Sequence, residues 1–573
     1  MPRRTTKAQR RFVVNADIAH VSRANSPGVL VVTGMLTQRS AFSTGGGSND
    51  SFLDDAIFRD GLDRPTLRGT SLAGALLTSF RKCGFVDLPP TLTESAVDEA
   101  GRQYVGESVL RVWNSHPVDV WHLETPSGGG CDPRSGVGIR QDTNSAAPGA
   151  LYDLEALPIG IQWPLVLELD LCRYASLKTT DTPWSEHQLE AALRVALREW
   201  EQGRCWLGRD VARGLGWMQL DKLQFQEKLG ASAMTWASES LFIKSARRRT
   251  FSEFEIWAHR RPGDTEIRRC GASKAEENDL KSVRTGKPWH YVRINGLVTA
   301  GAREDGYGLD SLSLGGHDAS LGRHKQISGD RLVKPLGVRS YQPSLDMSLA
   351  FSTIQRPGRD QTTEPFVSGS SIRGALRHSI SRDRRSLGKI VLDPVTKLTY
   401  SGLGEESASA DNTYPTDNTY PIQILFGEMP ARRGEPHTGS SRLLVCDAFL
   451  VDASADIWKC AVMQMHAEDE LAGGSFSSAK FDRLALLNGS FAWQIVIECP
   501  ATEQHLAMQA AGEIIATLSK HDGHGLAIGG AQWRGHGWLL WSELQICCAN
   551  AGDEQWKSCL DAPGLRTEEA TNA

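Results

Sequence analysis

Three aspartates lie in one polar loop near the start of the chain. Asp54, Asp55 and Asp60 follow three consecutive glycines at residues 45–47 and precede Pro65. A carboxylate in such a loop can bind a hard divalent cation through oxygen, or it can accept a proton from a hydroxyl group. The same residues can also serve only to solubilise the loop or to cap a helix. The loop is therefore a candidate catalytic site with a simple structural alternative.

The helix predicted after this loop occurs twice in the chain. Residues 69–77 read GTSLAGALL and residues 369–377 read GSSIRGALR, at an offset of 300 residues. We expect Ser71 and Ser371 to cap free N–H groups, because Ser before an apolar-periodic run is typical of a helix start. Those N–H groups, with the helix dipole, also form a phosphate site. Three upstream residues recur at the same offset: Arg59, Asp60 and Pro65 match Arg359, Asp360 and Pro365.

A glycine-rich stretch also recurs, later in each half. Residues 207–217 read LGRDVARGLGW and residues 528–538 read IGGAQWRGHGW, at an offset of 321 residues. Both contain Arg-Gly-x-Gly-Trp, with Arg213 in the first stretch and Arg534 in the second. Two unrelated patterns that recur in the same order indicate a tandem duplication. The two halves therefore have, or once had, the same function.

The order of the predicted elements favours an α+β fold. Residues 29–37 read as a strand, the helix at Ser71 follows, and alternating leucines at 165–171 predict a strand with one buried face. A capping box at Ser185 and Gln188 begins a second helix, and the glycine-rich stretch leads into a last strand. This order is that of the split βαβ, ferredoxin-like (RRM-like) arrangement.

The second half repeats this plan, and composition sets the domain boundaries. Strands are predicted at 345–351 and 493–497 and a helix at 502–519, while 105–150 and 398–440 read as irregular insertions. We predict a basic flexible arm at 1–12, a first domain at 13–220, a linker or insertion at 221–340, a second domain at 341–549 and a disordered tail at 550–573.

Composition limits the class of protein. A chain of 573 residues corresponds to roughly four domains. The net charge of −5 and the pI of about 6.3 do not by themselves indicate a nucleic-acid-binding protein. Eleven cysteines without a CxxC pair indicate neither a zinc ribbon nor a disulfide framework. We find no signal peptide and no apolar run of membrane-spanning length, so we expect a cytoplasmic protein that does not associate with a membrane.

Other motifs give weaker signals. GTSLAG is one residue longer than the hydrolase nucleophile elbow, and GSSIRGAL lacks the Lys-Ser/Thr that completes a P-loop. His521 and His524 have no carboxylate-rich helix beside them to complete a metal site. His116 and His122 lie near two tryptophans and can stack on bases or assist proton transfer. Surface or packing roles explain these two histidines equally well.

The loop and the two repeats together resemble a known family. A polar loop, then x-P-x-x-x-G-[ST]-S-[LI]-x-G-A-L and a late R-G-x-G loop, is similar to the RAMP superfamily of CRISPR-associated proteins. The likeness is strongest to backbone subunits of type III effector complexes, whose loop reads roughly I-D-N-P-V-I-R-D before P-x-I-P-G-S-S-L-K-G. Residues 53–74 here read LDDAIFRDGLDRPTLRGTSLAG. Because both halves carry the pattern, the chain resembles two fused subunits of subtype III-D: two tandem ferredoxin-like RAMP domains with inserted thumb segments.

The resemblance implies an activity, partners and site residues. In this family the loop aspartate supports cleavage of target RNA through the neighbouring 2′-OH, with a divalent metal, Mg²⁺ or Mn²⁺. By residue match this aspartate is Asp54, which is also the implied metal ligand; Asp55, Asp60 and Asp360 are further catalytic candidates. The implied partners are CRISPR guide RNA, complementary target RNA and other type III subunits, including the large polymerase-like subunit. The implied RNA-binding residues lie in the helix starts and glycine loops: Gly69, Ser71, Gly74, Arg81, Arg213, Gly214, Gly216, Gly369, Ser371, Arg373, Arg534, Gly535 and Gly537.

The second half departs from the family pattern. Ile354 occupies the position of Asp54 at the 300-residue offset, and only Asp360 matches Asp60. Unless Asp310 or Asp318 reaches in from the preceding segment, we expect this half to bind RNA without cutting it.

Three functions stay open from the sequence. The chain can be a target-RNA endoribonuclease, a non-catalytic scaffold for guide RNA and neighbouring subunits, or a guide-processing endoribonuclease. Chelation distinguishes the first from the third, because processing enzymes usually rely on His, Tyr or Lys instead of a loop carboxylate.

Overall fold

The computed structural model of the chain describes most of each half. The described residues are 28–45, 56–61, 64–89, 92, 95–97, 103–105, 108–118, 132–139, 146–177, 184–228, 267–269, 280–302, 332–333, 348–349, 352–355, 363–387, 391–392, 399–401, 404–406, 422–427, 441–455, 457–468, 475–530, 532 and 535–559.

The elements follow one another in chain order. The first half contains β1 (Val29–Gln38), α1 (Gly69–Lys82), β2 (Ser95–Val97), β3 (Gln103–Val105), β4 (Leu110–Val112), β5 (Asp132–Ile139), β6 (Ala146–Ala156), β7 (Gln162–Asp170), α2 (Leu171–Leu177), α3 (Glu186–Glu201), β8 (Cys205–Trp206), β9 (Trp217–Lys228) and β10 (Ile267–Arg269). The second half contains β11 (His290–Ala300), β12 (Leu332–Val333), β13 (Ser348–Leu349), β14 (Ser352–Gln355), β15 (Thr363–Val367), α4 (Gly369–Ser386), β16 (Val391–Leu392), β17 (Thr399–Ser401), β18 (Gly404–Glu406), α5 (Ile422–Phe426), β19 (Leu443–Val445), β20 (Ala448–Leu450), α6 (Asp452–Ala455), β21 (Lys459–Glu468), β22 (Ser475–Cys499), α7 (Gln504–Gly523), β23 (Leu540–Asn550) and β24 (Lys557–Ser558).

The first sheet has the central strand order β9-β1-β7-β4, and every neighbouring pair is antiparallel. The predicted alternation in β7 is confirmed, because Leu165, Leu167 and Leu169 are fully buried in the same apolar core as α1 and α3. The expectation of only one buried face is wrong, because Val166 and Glu168 on the opposite face are buried as well, and Leu171 already belongs to α2. The sheet is thus enclosed on both sides along this strand.

The second sheet contains four strands in the equivalent order, β23-β11-β22-β19, again antiparallel. Its core includes α4 and α7. The strand β11 lies in residues 221–340, which the sequence assigns to a linker or insertion. It is nevertheless the strand between β22 and β23, whose paired residues lie about 190 to 260 positions further along the chain. Such long-range pairing leaves no local signal. The mixed content and antiparallel sheets confirm the α+β class.

The two sheets share an unusual backbone detail. The pairing of β1 with β9 is interrupted at Gly34, and the pairing of β11 with β23 is interrupted at Gly296. Opposite each glycine stands a non-glycine residue with positive φ, Lys222 at 55° and Glu543 at 53°. A β-bulge of this kind bends the strand locally, and its position is characteristic of a protein family rather than common to all sheets. Its recurrence supports the tandem duplication predicted from the sequence.

The principal helices begin close to where the sequence predicts. The capping box of α3 is confirmed: Gln188 N donates to Ser185 Oγ at 3.2 Å, and Ser185 N donates to Gln188 Oε1 at 2.8 Å. The regular part of α7 ends at Lys520, where ψ becomes 148°, close to the predicted end at residue 519. Among the described helices, none combines the length and apolar character needed to cross a membrane.

The halves pack against each other through apolar and polar contacts. Leu444 and Val496 of the second sheet join the core of the first half. Lys82 at the end of α1 pairs with Glu498 at 2.5 Å. Next to them, the fully buried Arg204–Glu199 pair, 2.7 Å apart, binds the backbone that follows β23. The two halves are therefore joined by a continuous buried surface.

Residues 550–559 differ from the sequence expectation. The sequence places them in a disordered tail, but they form a turn and the short strand β24, which extends the sheet beside β23. Cys548 and Cys559 are joined by a disulfide, which the cysteine spacing does not indicate. Residues 560–573 lie outside the described residues.

Candidate functional site

The acidic loop begins and ends at one place in the first half. Gly45 and Ile57 form an antiparallel bridge, and Phe58 N donates to Thr44 O at 2.9 Å. Ile57 N donates to Glu155 Oε2 on β6, also at 2.9 Å. Asp54 and Asp55 lie between these anchors but outside the described residues, so their catalytic and metal-binding roles stay predictions.

Asp60 is bound by three groups. Arg64 donates to Asp60 Oδ2 from Nη2 at 2.6 Å and from Nε at 2.9 Å, and its backbone N donates to Oδ1 at 3.0 Å. His116 Nε2 lies 3.1 Å from the same Oδ2. The structure thus brings together two residues that the sequence considers separately. Asp60 can orient the imidazole of His116, and its charge is compensated by Arg64.

His116 is partly buried and is held in its neutral form. Burial lowers the pKa of its imidazole, and the positive charge of Arg64 lowers it further, while Asp60 opposes both effects. An imidazole that is neutral at physiological pH can accept a proton. Proton transfer, base stacking and packing therefore all stay compatible with His116, and its contact with Asp60 is the feature that the structure adds.

The starts of α1 and α4 are built alike, but not as predicted. Gly69 N donates to Asn114 Oδ1 at 2.8 Å, and Gly369 N donates to Asp447 Oδ1 at 2.8 Å. A side chain at either glycine would overlap a carbonyl oxygen of the neighbouring strand. The first N–H of each helix therefore donates to a side chain of the protein, so it is not available to the phosphate site expected there.

The predicted caps at these helix starts are wrong. Ser71 lies inside α1, whose N-cap is Arg68 and has no side-chain cap. In α4 the N-cap is Ser368, whose hydroxyl accepts from Ser371 N at 3.3 Å. The sequence pattern marks the helix start correctly, but the capping residue lies three positions earlier in the second half and is missing in the first.

Other candidates on these helices fall into two groups. Gly74 and Arg81 are exposed, as is Gly374, the residue of α4 equivalent to Gly74. Apart from the helix's own nearby backbone, no atom lies within 4 Å of a Cβ placed at either glycine, so a ligand can approach there. Arg373 instead donates to Leu443 O at 3.0 Å and to the carbonyl of Phe426. Burial, with the nearby charges of two other arginines, lowers its pKa to about 9. These contacts give Arg373 a role in packing, and its RNA contact stays a prediction.

The two glycine loops have the same backbone form. Gly216 and Gly537 have φ of 76° and 83°, and each accepts a hydrogen bond from the first residue of its loop, Leu207 N at 2.8 Å and Ile528 N at 2.9 Å. Further glycines with positive φ recur in both loops: Gly208 and Gly214 match Gly529 and Gly535. Only glycine adopts this conformation without strain, so the repeated pattern reflects a repeated loop structure.

Arg213 of the first loop is already engaged within the protein. It donates to the hydroxyl of Tyr152 on β6 and lies 3.3 Å from Asp210. Gly214 lies against Val445 O of the second half, so this loop packs at the junction between the halves. Arg534, the equivalent residue of the second loop, lies outside the described residues.

One charged contact across the halves was not predicted from the sequence. Arg134 on β5 pairs with Asp447 at 2.7 Å, and its guanidinium lies 4.7 Å from the ring centre of Phe366. The Asp447 side chain is fully buried; burial raises its pKa, and Arg134 and Gly369 N–H oppose the shift. The sequence does contain a signal for the position of Asp447: LRVWN at 110–114 aligns with LLVCD at 443–447, so Asn114 and Asp447 are equivalent.

The hairpin of β14 and β15 corrects the register of the second half. Thr353 pairs with Pro365 there, as Arg59 pairs with Pro65 in the first half. The 300-residue offset therefore fails before Pro365, because the second turn is six residues longer (359 − 353). Counted in this way, Ile354 is equivalent to Asp60, not to Asp54.

This correction changes the matches of two predicted positions. When residues are counted back from Ile354, the residue equivalent to Asp54 is Ser348. Asp346 is two residues before Ser348 and lies outside the described residues. Asp360, which the 300-residue offset pairs with Asp60, lies between β14 and β15 in the sequence and outside the described residues. Its catalytic role stays a prediction without the match that suggested it.

The described residues do not supply a divalent-metal site. No group of three or more His, Cys, Asp or Glu side chains is placed to share a metal ion within the described part of the chain. At the base of the loop, Asp60 pairs with Arg64 and Glu155 pairs with Arg59 at 2.6 Å. Carboxylates compensated by arginine are poor ligands for a hard cation, so these two acids do not fit the role.

Comparison with known families supports one general assignment. No curated protein matches the chain. Residues 39–219 match the model of the RAMP superfamily, which is 181 of the 573 residues and contains the acidic loop, α1, His116 and the first glycine loop. This match supports a CRISPR-associated, RNA-binding protein of the RAMP superfamily, a group whose members typically bind CRISPR RNA within multi-subunit complexes.

Proposed function

We propose that the chain is a subunit of a type III CRISPR effector complex that holds guide RNA and cleaves complementary target RNA in its first half. The observation that carries the proposal is the anchored acidic loop within the region that matches the RAMP superfamily. Asp54 and Asp55 lie in that loop, a few residues before the charged cluster of Asp60 and His116. The proposed partners besides guide RNA are target RNA and other subunits of the complex, including the large polymerase-like subunit. The proposed location is the cytoplasm.

The proposal includes two fused copies of one ferredoxin-like RAMP domain. Three observations support it: the common strand order of the two sheets, the bulges at Gly34 and Gly296, and the equal backbone of the two glycine loops. Because β-bulges are conserved within protein families, their recurrence in both halves favours a common origin. In this view the hairpin of β5 and β6 belongs to the thumb of the first copy, and its Arg134 contacts the second copy.

Cleavage is assigned to the first copy alone. The second half has Ile354 and Phe449 where the first has Asp60 and His116. It therefore lacks the charged cluster beside the loop. We propose that this half binds guide RNA and positions neighbouring subunits, which also makes a purely scaffolding role the main alternative for the whole chain.

The test is cleavage of end-labelled complementary RNA by the assembled, guide-loaded complex. We expect Asp54→Asn to reduce single-turnover cleavage at one position by at least about 100-fold, the range of a lost acid–base group, with target binding retained. Asp87→Asn is the matched control, because it makes the same change at an exposed aspartate outside the acidic loop. Unchanged cleavage by Asp54→Asn would leave the scaffolding role.

A chelation arm addresses the metal. The predicted requirement for Mg²⁺ or Mn²⁺ is confirmed if EDTA stops cleavage and either ion restores it. Cleavage that persists in EDTA would instead favour a metal-free mechanism, as in guide processing. Replacing the target with the unprocessed guide transcript then distinguishes these two activities.

A further inference from the structure

We propose that His116, oriented by Asp60, is the base that accepts the 2′-OH proton when the first half cleaves RNA. This inference rests on the proposed cleavage activity and adds a residue to it. His116 has the chemistry, the fixed orientation and the position for this role, and each is argued from the described residues.

The orientation of the imidazole is set by two successive contacts. Arg64 donates to Asp60 Oδ2 from Nε and Nη2 and to Oδ1 from its backbone N, and Asp60 Oδ2 in turn lies 3.1 Å from His116 Nε2. The carboxylate therefore favours the tautomer with a proton on Nε2, which leaves the lone pair on Nδ1. Among the described residues, none forms a hydrogen bond with Nδ1. A carboxylate that fixes one ring nitrogen while the other takes the proton is a general arrangement for a histidine base.

The backbone around His116 is held by hydrogen bonds on both sides. Ser115 exchanges two hydrogen bonds of 2.9 Å with Leu67, directly before α1. On the other side, Val118 bridges Gln162 at the start of β7. The histidine is thus fixed between the helix start and the sheet, and its side chain keeps 23% of its surface exposed. A substrate can reach it from that side.

The charges around His116 favour the neutral base. Asp60 and Arg64 are its charged neighbours on the loop, and Glu155 on the adjoining strand β6 is paired with Arg59. Burial and Arg64 lower the pKa of His116, against the opposite effect of Asp60. The neutral form, which can accept a proton, is therefore populated at physiological pH.

The chemical step requires no protein base other than His116. Nδ1 takes the 2′-OH proton while the 2′-oxygen bonds to phosphorus, and the bond from phosphorus to the 5′-oxygen breaks. The leaving 5′-oxygen takes a proton from water, and the hydroxide that remains takes the proton from the imidazolium. The products are a 2′,3′-cyclic phosphate and a 5′-hydroxyl, with no oxidant or reductant required.

The second half provides an internal contrast. Its residue at the position of His116 is Phe449, which stacks on Phe366 with ring centres 6.3 Å apart. Its residue at the position of Asp60 is Ile354. Neither can accept or relay a proton, so among the described residues the pair of His116 and Asp60 has no counterpart at the equivalent positions of the second half.

The experiment is the pH dependence of single-turnover cleavage by the guide-loaded complex. We expect the wild-type rate to fall at acid pH with a midpoint below the usual histidine range. His116→Gln should reduce the plateau rate by about 100-fold and remove this acid limb, with guide and target binding retained. His187→Gln, on the exposed side of α3, is the matched control and should change neither.

Two further variants separate a base from a structural residue. Arg64→Gln should move the acid midpoint to higher pH, because it removes a charge that lowers the pKa of His116. Asp60→Asn should move it to lower pH and reduce the rate. A midpoint that does not move in Arg64→Gln overturns the proposal even if His116→Gln fails to assemble.

The outcomes distinguish this proposal from the proposed function. If Asp54→Asn abolishes cleavage and His116→Gln retains the rate and the acid limb, the chain is a nuclease and the role of His116 is overturned. If neither variant affects cleavage, both proposals fall. Loss of the acid limb in His116→Gln together with opposite midpoint shifts in the other two variants supports the base.

Discussion

The first half has Asp60, Arg64 and His116 in mutual contact beside the acidic loop. In the second half the equivalent residues are Ile354, Glu364 and Phe449, on a hairpin and strand with the same pairing. The glycine loops and sheet bulges, in contrast, are the same in both halves. The fold therefore constrains the glycines and the strand order, while the charged cluster is free to differ. That cluster is where a difference in function between the halves is expected.

A second difference concerns how the two helix starts are used. Asn114 accepts the first N–H of α1 and is exposed, whereas Asp447 accepts the first N–H of α4 and is fully buried beside Arg134. The position is common to both halves, but only in the second is it covered by the other half. One residue of a repeated motif has thus become part of the junction.

The largest effect is expected at the glycines that start the two helices. Gly69→Ala and Gly369→Ala should each reduce the free energy of unfolding by about 3 kcal/mol or more, because the new methyl group overlaps a backbone carbonyl that cannot rotate away. Urea denaturation of the full chain measures this. If the halves are equivalent in backbone, both variants are similarly unstable; a loss in only one would break the comparison.

The matched controls are the exposed glycines one turn further along each helix. Gly74→Ala and Gly374→Ala place a methyl group in open space. A gain of about 0.5 to 1 kcal/mol is expected, since alanine is the better helix residue and has less freedom to lose. A fall in guide-RNA affinity without a fall in stability would identify Gly74 or Gly374 as a point of close RNA approach.

A smaller effect should distinguish the two helix starts. Asp447→Asn keeps an acceptor for Gly369 N–H but removes the charge that pairs with Arg134, and it should cost about 2 kcal/mol. The value lies below that of a fully buried pair, because Arg134 keeps 15% exposure and still stacks on Phe366. Among the described residues no arginine binds Asn114, so the reciprocal change Asn114→Asp should alter stability by less than about 0.5 kcal/mol. Equal effects in urea denaturation would show that the junction contact does not matter.

Local patterns in the sequence predicted much of this fold. The helix starts at Gly69 and Gly369, the capping box at Ser185 and the strand alternation at 165–169 all depend on residues within one or two turns of each other. The recurrence of the glycine loops also predicted their common backbone form. Such features follow from propensity and periodicity, which the sequence displays directly.

The features that the sequence did not predict depend on distant contacts. The central place of β11, the pairing of Arg134 with Asp447 and the contact of His116 with Asp60 each join residues 56 to 313 positions apart, and no local pattern encodes them. The 300-residue offset failed for a related reason: it holds along the helices but not across the longer turn before Pro365. A fixed offset cannot represent a change in loop length.

The smallest expected effect tests which serine caps a helix. Ser368→Ala should reduce the free energy of unfolding by about 1 kcal/mol, because its hydroxyl accepts from Ser371 N at 3.3 Å and the first turn of α4 loses that acceptor. Ser71→Ala is the matched variant in the first half, where the residue lies inside α1 and does not cap, and it should leave stability unchanged. Urea midpoints of the two variants decide the point. A loss of about 1 kcal/mol in Ser71→Ala would restore the capping role predicted from the sequence, whereas a loss confined to Ser368→Ala means that only the second helix is capped by a side chain.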